Sequence, residues 1–255
     1  MTGRVHSFET LGALDGPGLR CVVFLQGCPL RCQTCHNPDT WSPTGGTAMT
    51  VAEVVARVSR LRPYFGREGG VTLSGGEPLA QPHFAAAILR QCRALGVHTA
   101  LDTSGVGGAP AARIVLPHTD LVICDLKATD AGRYRDLTGG SLTATWDFLR
   151  CVTRAGVPLW VRQVIVPGWN DTEADAQRLG EALRKLPTLA RVELLPYHTL
   201  GLAKWEALGR PSPLCDVPPA DPAHVARLEQ LVRAVAQGQS GTDPICRVPQ
   251  VACHT

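Results

Sequence analysis

Residues 27–41 read GCPLRCQTCHNPDTW, and Cys28, Cys32 and Cys35 stand there at the spacing C-x3-C-x2-C. Three thiolates on one short loop can hold three corners of a cubic [4Fe-4S] cluster, whereas a closed zinc site or a cluster ligated wholly by protein takes four ligands. No fourth cysteine lies nearby: Cys21 falls in an apolar run upstream, and Cys92 follows only after a long gap. Three ligands without a fourth leave one iron open to an exogenous ligand, and an open metal position is where chemistry can occur. The competing reading is a structural zinc with His36 as fourth ligand. Adjacent Cys35 and His36 point in different directions from one loop, which disfavours it.

Working outward, the apolar run at residues 21–26 reads as a buried strand that stops directly at the cysteine loop. Similar runs at 70–73, 97–102, 120–126, 159–166 and 192–196 alternate with helical patterns at 50–61, 82–95, 109–116, 142–155 and 172–186. Thr50 with Glu53 three residues on reads as a capped helix start, and Asp171 or Thr172 as another. Strands alternating with helices predict an α/β chain with a parallel sheet. Its repeating units suit a partial (β/α)6 TIM-like barrel, open on one side. The polar motifs fall where strands end, the edge at which barrel loops build sites. Cys28, Gly76, Asp102, Asp125 and His198 are thereby predicted to converge.

Residues 1–20 read as a polar, Gly-rich lead-in with a turn at Asp15-Gly16-Pro17-Gly18. A last helix at 223–235 closes a single domain spanning 1–237. The polar stretch 238–255, with Cys246 and Cys253, reads as a disordered tail.

Composition excludes several classes. A net charge of +3 without a run of basic residues does not suggest a nucleic-acid surface, and no apolar stretch reaches the length of a membrane span. Ten cysteines without a signal peptide fit a reducing compartment, so the expected location is the cytoplasm and the thiols are free to bind iron. Cys21, Cys92, Cys124 and Cys151 lie in apolar or helical patterns and read as small buried hydrophobes.

The cysteine loop resembles that of the radical S-adenosylmethionine (SAM) superfamily. The string Cys35-His36-Asn37-Pro38-Asp39-Thr40-Trp41 resembles the activating enzymes of glycyl radical enzymes, and four further segments agree: His6-Ser7-Phe8-Glu9 with Asp15-Gly16-Pro17-Gly18-Leu19-Arg20, Ser74-Gly75-Gly76-Glu77, Val166-Pro167-Gly168-Trp169, and Leu195-Pro196-Tyr197-His198. The likeness covers about residues 3 to 236. It implies the radical SAM barrel and a [4Fe-4S] cluster on Cys28, Cys32 and Cys35 whose open iron binds SAM. Cleavage of SAM then gives a 5′-deoxyadenosyl radical that abstracts hydrogen from a backbone glycine of a glycyl radical enzyme, pyruvate formate-lyase first among candidates. Iron-sulfur potentials reach down to about −700 mV, so a sufficiently reducing cluster is available. A flavodoxin- or ferredoxin-like electron donor is implied, and a monomer is expected.

The resemblance also distributes roles. Thr34, Cys35, His36, Gly76, Asp125, Leu126, Lys127 and His198 match positions that contact SAM, with Gly76 receiving its amino group. Asp102, Thr103, the Ile123 carbonyl and Asp125 match positions that hold a monovalent cation, sodium or potassium, for which hard oxygen ligands are suited. Each motif has a plainer reading: a Gly-Gly turn after a strand, a carboxylate capping the next turn, a surface histidine. Lys127 suits a carboxylate, being a point charge on a flexible stem. Arg162 faces a barrel interior where an unpaired charge is costly, so it pairs with a carboxylate, SAM or substrate. His36 and Asp39 hold either the cluster loop or the substrate loop. The short connection from Trp41 to Thr50 leaves no room for a ferredoxin-like insertion. The alternatives are an activase of another glycyl radical enzyme or a small-molecule radical SAM enzyme and, from a different class, a zinc-stabilised binding module without catalysis.

Overall fold

The computed structural model describes residues 1–238. Its strands are β1 (Thr2–Gly12), β2 (Arg20–Leu25), β3 (Thr47–Thr50), β4 (Gly70–Gly75), β5 (His98–Thr103), β6 (Leu121–Asp125), β7 (Leu159–Ile165) and β8 (Leu189–Pro196). They form one eight-stranded sheet in the order β3-β1-β2-β4-β5-β6-β7-β8, whose two ends do not pair with each other. From β2 to β8 every pairing is parallel, as the sequence alternation predicts.

The first strand corrects the reading of residues 1–20 as a lead-in. β1 pairs antiparallel with β2 on one side and β3 on the other. Its register with β2 shifts between Val5 and Ser7 and again between Glu9 and Gly12, which breaks the alternation a strand reader looks for. The turn at Asp15–Gly18 is present, with Gly18 at φ +64° against the Gly69 backbone, where a Cβ would lie 2.5 Å from the Gly69 nitrogen.

Among the described residues eight α-helices accompany the sheet: α1 (Val51–Arg60), α2 (Pro82–Ala94), α3 (Gly108–Val115), α4 (Ala131–Thr138), α5 (Leu142–Ala155), α6 (Glu173–Leu183), α7 (Leu202–Ala207) and α8 (Pro222–Ala236). Thr50 and Glu53 form a reciprocal capping box on α1, and Thr172 forms one with Asp175 on α6. The sequence reading missed α4 and α7. Both are short; α4 starts on the Asp130 side chain and stops at Gly139, φ +68°. The main core lies between the sheet and its helices, where Val23, Leu73, Leu101, Val122 and Val161 meet Ile88, Leu149, Val152 and Leu179. The other face carries a small separate cluster of Ala100, Leu121 and Ile123 with Trp160 against it.

That division follows from the period-2 alternation of strand side chains. Ala100 shares its face with Asp102, Ile123 with Asp125, and Trp160 with Arg162. The apolar cluster is therefore a floor, and the next residue on each strand toward the C-terminal edge is charged. At the opposite end Arg20, fully buried, fixes the strands by donating to the Val71 carbonyl (2.7 Å) and to Thr72 Oγ1 (2.5 Å). Among the described residues no helix is long and apolar enough to cross a membrane. Cys246 and Cys253, with the stretch expected to be disordered beyond Gly238, lie outside the described residues.

Candidate active site

The cysteine loop leaves β2 at Gly27, where φ is +94° and a glycine avoids the strain a side chain would bring. Backbone hydrogen bonds then fold it back on itself: Gly27 N–H donates to the Thr40 carbonyl at 2.7 Å, and Cys28 N–H to the Trp41 carbonyl at 3.2 Å. The far side is tied to α4, with Arg31 N–H on the Thr138 carbonyl and Gln33 N–H on the Leu137 carbonyl, each at 2.8 Å. The buried Gln26 donates to the Asp39 and Ser42 carbonyls at 3.0 and 2.9 Å, and Trp205 Nε1 of α7 donates to the Cys35 carbonyl at 2.9 Å. The end of β2, α4 and α7 thus position one loop.

A cavity of about 300 Å³ opens at the C-terminal edge of the parallel strands. Cys28, Cys32 and Cys35 line it, together with Thr34, His36, Gly76, Asp102, Thr103, Asp125, Lys127, Arg162 and His198. Residues distant in sequence meet there because their strands end side by side. Leu126 and Ile123 are not among the lining residues. The Leu126 side chain is buried in the main core, with its N–H on the Arg162 carbonyl and its carbonyl taking the Gln163 amide, both at 2.9 Å. Ile123 sits a pleat below the rim in the apolar floor.

The three cysteines are free thiols. Burial pushes Cys28 up to about 12 and Cys32 to about 11; Cys35 is raised by burial too, with the Asn37 backbone and the Trp41 side chain drawing it back by hydrogen bonding. Such thiols are protonated at neutral pH and lose their protons when a metal binds. Among the described residues no three His, Cys, Asp or Glu side chains gather closely enough for a single ion, so the thiols do not converge on one point. A polynuclear cluster takes each thiolate on a different iron, and three soft donors on one buried loop suit it.

Around the thiols the polar groups are held in pairs. Burial disfavours charge on Lys127, but the Asp125 carboxylate in contact with it, and the neighbouring cysteines, outweigh burial and raise its pKa. The other Asp125 oxygen, Oδ1, is buried and has no hydrogen-bond partner. Asp102 accepts from Ser74 Oγ at 2.7 Å; burial lifts it to about 6, although Arg162 and the Ser74 hydrogen bond oppose the rise. Arg162 pairs with Glu193 and also donates to the Leu14 carbonyl in the turn after β1. His36 stacks on His198, ring centroids 4.3 Å apart and planes at 20°. His36 is accordingly not turned toward the thiols as a fourth ligand; its Nε2 lies 3.3 Å from the His198 carbonyl. Asp39 pairs with His6 Nε2 at 2.9 Å, on the side of the loop facing β1.

Gly76 is confined by backbone. A Cβ there would stand 2.5 Å from the Gly27 carbonyl oxygen and 3.0 Å from that of Thr40, so only glycine lets the two loops touch. Glu77, next in the chain, is 1% exposed and fully bonded: Oε1 accepts from Leu79 N–H (2.9 Å) and Thr103 Oγ1 (2.5 Å), Oε2 from Ser104 N–H (2.9 Å) and Ser104 Oγ (2.5 Å). The motif Ser74-Gly75-Gly76-Glu77 contains Ser74 and Glu77 without indicating a role for either, and Glu193 and Trp205 stand in no motif. Period-2 counting back from Ser74 and Glu193 to Thr72 and Arg191 places them on the cavity face, a signal present in the sequence. Trp205 lies on a helix that was not foreseen.

Residues 14–108, which hold the cysteine loop and Ser74-Gly75-Gly76-Glu77, match the family described as a 4Fe-4S single cluster domain. The pyruvate formate-lyase-activating enzyme of Clostridium pasteurianum is 44% identical over 236 residues, 92% of this chain and 99% of that protein. The pyruvate formate-lyase 1-activating enzyme of Escherichia coli (strain K12) is 40% identical over 233 residues, 90% of this chain and 95% of its own. Among solved structures, a radical SAM methyltransferase from Sphaerobacter thermophilus superposes with a TM-score of 0.63 at 22% identity, covering 85% of this chain and 64% of that one. That likeness establishes the fold, a partial TIM-like barrel. Identity at this level over nearly the whole length, carried by a chain that gathers three thiols at one cavity, leads to one conclusion: the chain belongs to the family of pyruvate formate-lyase-activating enzymes.

Proposed function

We propose that this chain activates a glycyl radical enzyme, pyruvate formate-lyase first, with a [4Fe-4S] cluster held by Cys28, Cys32 and Cys35 and with SAM in the adjoining cavity. The observation that carries the reading is the meeting of three thiols, one buried and two half-buried, with Gly76, the Asp125–Lys127 pair and His198 around one cavity. When bound, the cluster and SAM would supply a 5′-deoxyadenosyl radical able to take hydrogen from a backbone glycine. The remaining work falls to the polypeptide.

Gly76 gives an amino group access to loop backbone with no side chain in the way. Lys127, kept charged by Asp125, offers a cation to a carboxylate. The stacked His36 and His198 flank the adenosyl part, with Thr34 and the Cys35 backbone beside them, while Leu126 contributes by fixing the strand end from within the core. Asp102 and Asp125 face the same cavity, and the unpartnered Asp125 Oδ1 asks for a donor or a cation. A sodium or potassium ion on Asp102, Thr103, the Ile123 carbonyl and Asp125 would answer it. The Thr103 hydroxyl already donates to Glu77, so Thr103 would contribute its carbonyl. Arg162 has donors to spare for substrate, since among the described residues only Glu193 and the Leu14 carbonyl engage it. A sheet that does not close leaves a way in for a peptide loop, and a closed-off floor keeps water from the reacting atoms.

An electron donor of flavodoxin or ferredoxin type reduces the cluster. We place the chain in the cytoplasm as a monomer, in keeping with its many unpaired thiols and its protein substrate. The test is electron paramagnetic resonance of pyruvate formate-lyase after anaerobic incubation with the reconstituted, reduced protein and SAM. The expected signal is the doublet of a glycine-centred radical; SAM cleavage without that signal in any glycyl radical protein would favour a small-molecule substrate.

A further inference from the structure

Beside the cavity the cluster loop carries a second organised surface. Trp41, 8% exposed, follows the cysteines and accepts the Cys28 N–H through its carbonyl at 3.2 Å. Its indole meets that of Trp205 edge-on, with centroids 5.1 Å apart and planes at 88°, and Trp205 Nε1 is bonded to the Cys35 carbonyl at 2.9 Å. Two guanidinium groups lie over the Trp41 ring, Arg31 at 5.0 Å and Arg210 at 5.9 Å from its centroid. Both residues are exposed, and among the described residues neither has a carboxylate within salt-bridge distance. Lys204 stands beside them, donating to Asn37 Oδ1 at 2.6 Å and 3.9 Å from Asp39.

Two like charges gathered on one ring repel each other, and an exposed cation–π contact stabilises by only about 0.5–1 kcal/mol. Arg31 is also held by the Cys28 and Leu30 carbonyls, each at 2.7 Å, but stability of the chain alone is a weak reason for bringing Arg210 to the same ring. An anionic surface laid across it would relieve the repulsion and gain from both charges. The position is also particular: the tryptophans under the arginines are hydrogen-bonded to two of the three cysteine residues, and Trp41 itself lines the cavity, so this face lies directly against the cluster loop. A protein that delivers only an electron needs proximity to the cluster. A protein that delivers a glycine needs the cavity mouth.

We propose that the face formed by Arg31 and Arg210 over Trp41, with Lys204 at its edge, is the docking site of an acidic electron-transfer protein. The inference rests on the cluster reading of Cys28, Cys32 and Cys35. In the step it serves, one electron leaves the donor and enters the cluster; the donor is oxidised by one electron, the cluster is reduced by one, and no bond is made or broken.

The test uses the cluster-loaded chain and an oxidised flavodoxin with an acidic face around its flavin, and reads the dissociation constant at low and at raised salt. Arg210→Glu is expected to weaken binding by about tenfold and to flatten its salt dependence, while Arg113→Glu, on α3, binds as the parent does. Stopped-flow reduction of the cluster by the reduced flavodoxin slows in parallel, whereas dithionite-driven SAM cleavage by Arg210→Glu stays at the parent level. Arg31→Glu repeats the binding loss, with iron content measured alongside because Arg31 also bonds the Cys28 carbonyl. Unchanged flavodoxin binding in Arg210→Glu overturns the proposal, as does a loss confined to the glycyl radical enzyme. Failure of the parent chain to cleave SAM with dithionite would count against the cluster reading instead.

Discussion

Glu77 holds Ser104 by both of its donors: Oε2 takes the backbone N–H at 2.9 Å and the hydroxyl at 2.5 Å. The other oxygen takes Leu79 N–H and the Thr103 hydroxyl, so one buried carboxylate joins the loop after β4 to the end of β5. Those loops carry Gly76 on one side and Asp102 and Thr103 on the other. Glu77 therefore sets the distance between the two halves of the proposed SAM site without lining the cavity itself.

Replacing Glu77 with Ala leaves four donors without their acceptor in a dry interior. We expect about 3 kcal/mol or more of lost stability, since a hydrogen bond to a charged group contributes about 1.5–3 kcal/mol and orphaned donors add to the loss. Denaturant unfolding of the anaerobic protein measures it. Glu77→Gln keeps acceptor capacity on one side only and should fall between the two.

Gly76→Ala is expected to fail for steric reasons. Its Cβ would press on the Gly27 and Thr40 carbonyls, both in backbone that cannot swing away, and overpacking of this kind costs about 1–3 kcal/mol. The loop between Gly27 and Thr40 holds all three cysteines, so iron content after reconstitution should drop along with melting temperature. A variant that loads iron normally and binds SAM unchanged would remove Gly76 from the site.

Asp102 makes a pH prediction. Its pKa in the fold is about 6, above the ordinary 3.8, because burial outweighs Arg162 and Ser74. The folded protein thus holds this proton more tightly than the unfolded chain. Its contribution is complete below about pH 4 and is lost as pH rises through about 6. Asp102→Asn remains neutral throughout and can still accept from Ser74. In buffer free of sodium and potassium it should be more stable than the parent at pH 7.5, by about 1–3 kcal/mol, and no more stable at pH 4. Adding potassium or sodium should narrow the gap at pH 7.5 by stabilising the parent alone, if the cation assignment holds.

Single replacement of Cys28, Cys32 or Cys35 by Ala should abolish the brown chromophore and stoichiometric iron while leaving the far-ultraviolet circular dichroism unchanged, because the thiols make few contacts that the fold needs. The same change at Cys92 or Cys124, both fully buried in the core, should do the reverse: lower stability with iron retained. Iron and sulfide analysis beside thermal melts separates the two groups.

Much of this was legible in the residues. The parallel strands announced themselves as apolar runs, and the convergence of Cys28, Gly76, Asp102, Asp125 and His198 followed from their places at strand ends. What escaped notice shares a physical cause. β1 is read as a loop because its bulges disrupt alternation, and its hydrogen bonds depend on β2 and β3 rather than on its own pattern. α7 is too short to display a helical period and is held by tertiary contacts such as Trp205 on the Cys35 carbonyl, while α4, AGRYRDLT, carries too few apolar residues to show one. Leu126 shows what a motif alone does not convey: the resemblance implies a contact at the site, while the alternation that puts Asp125 on the cavity face turns the Leu126 side chain into the core.

The central claim is that three protein thiolates leave one iron of a [4Fe-4S] cluster for SAM. Mössbauer spectroscopy of the iron-57-reconstituted protein, with and without SAM, tests it most directly. One iron in four should be distinguishable from the rest and should change its isomer shift when SAM is added. Four irons that ignore SAM, or a protein that takes up zinc and builds no cluster, would contradict it.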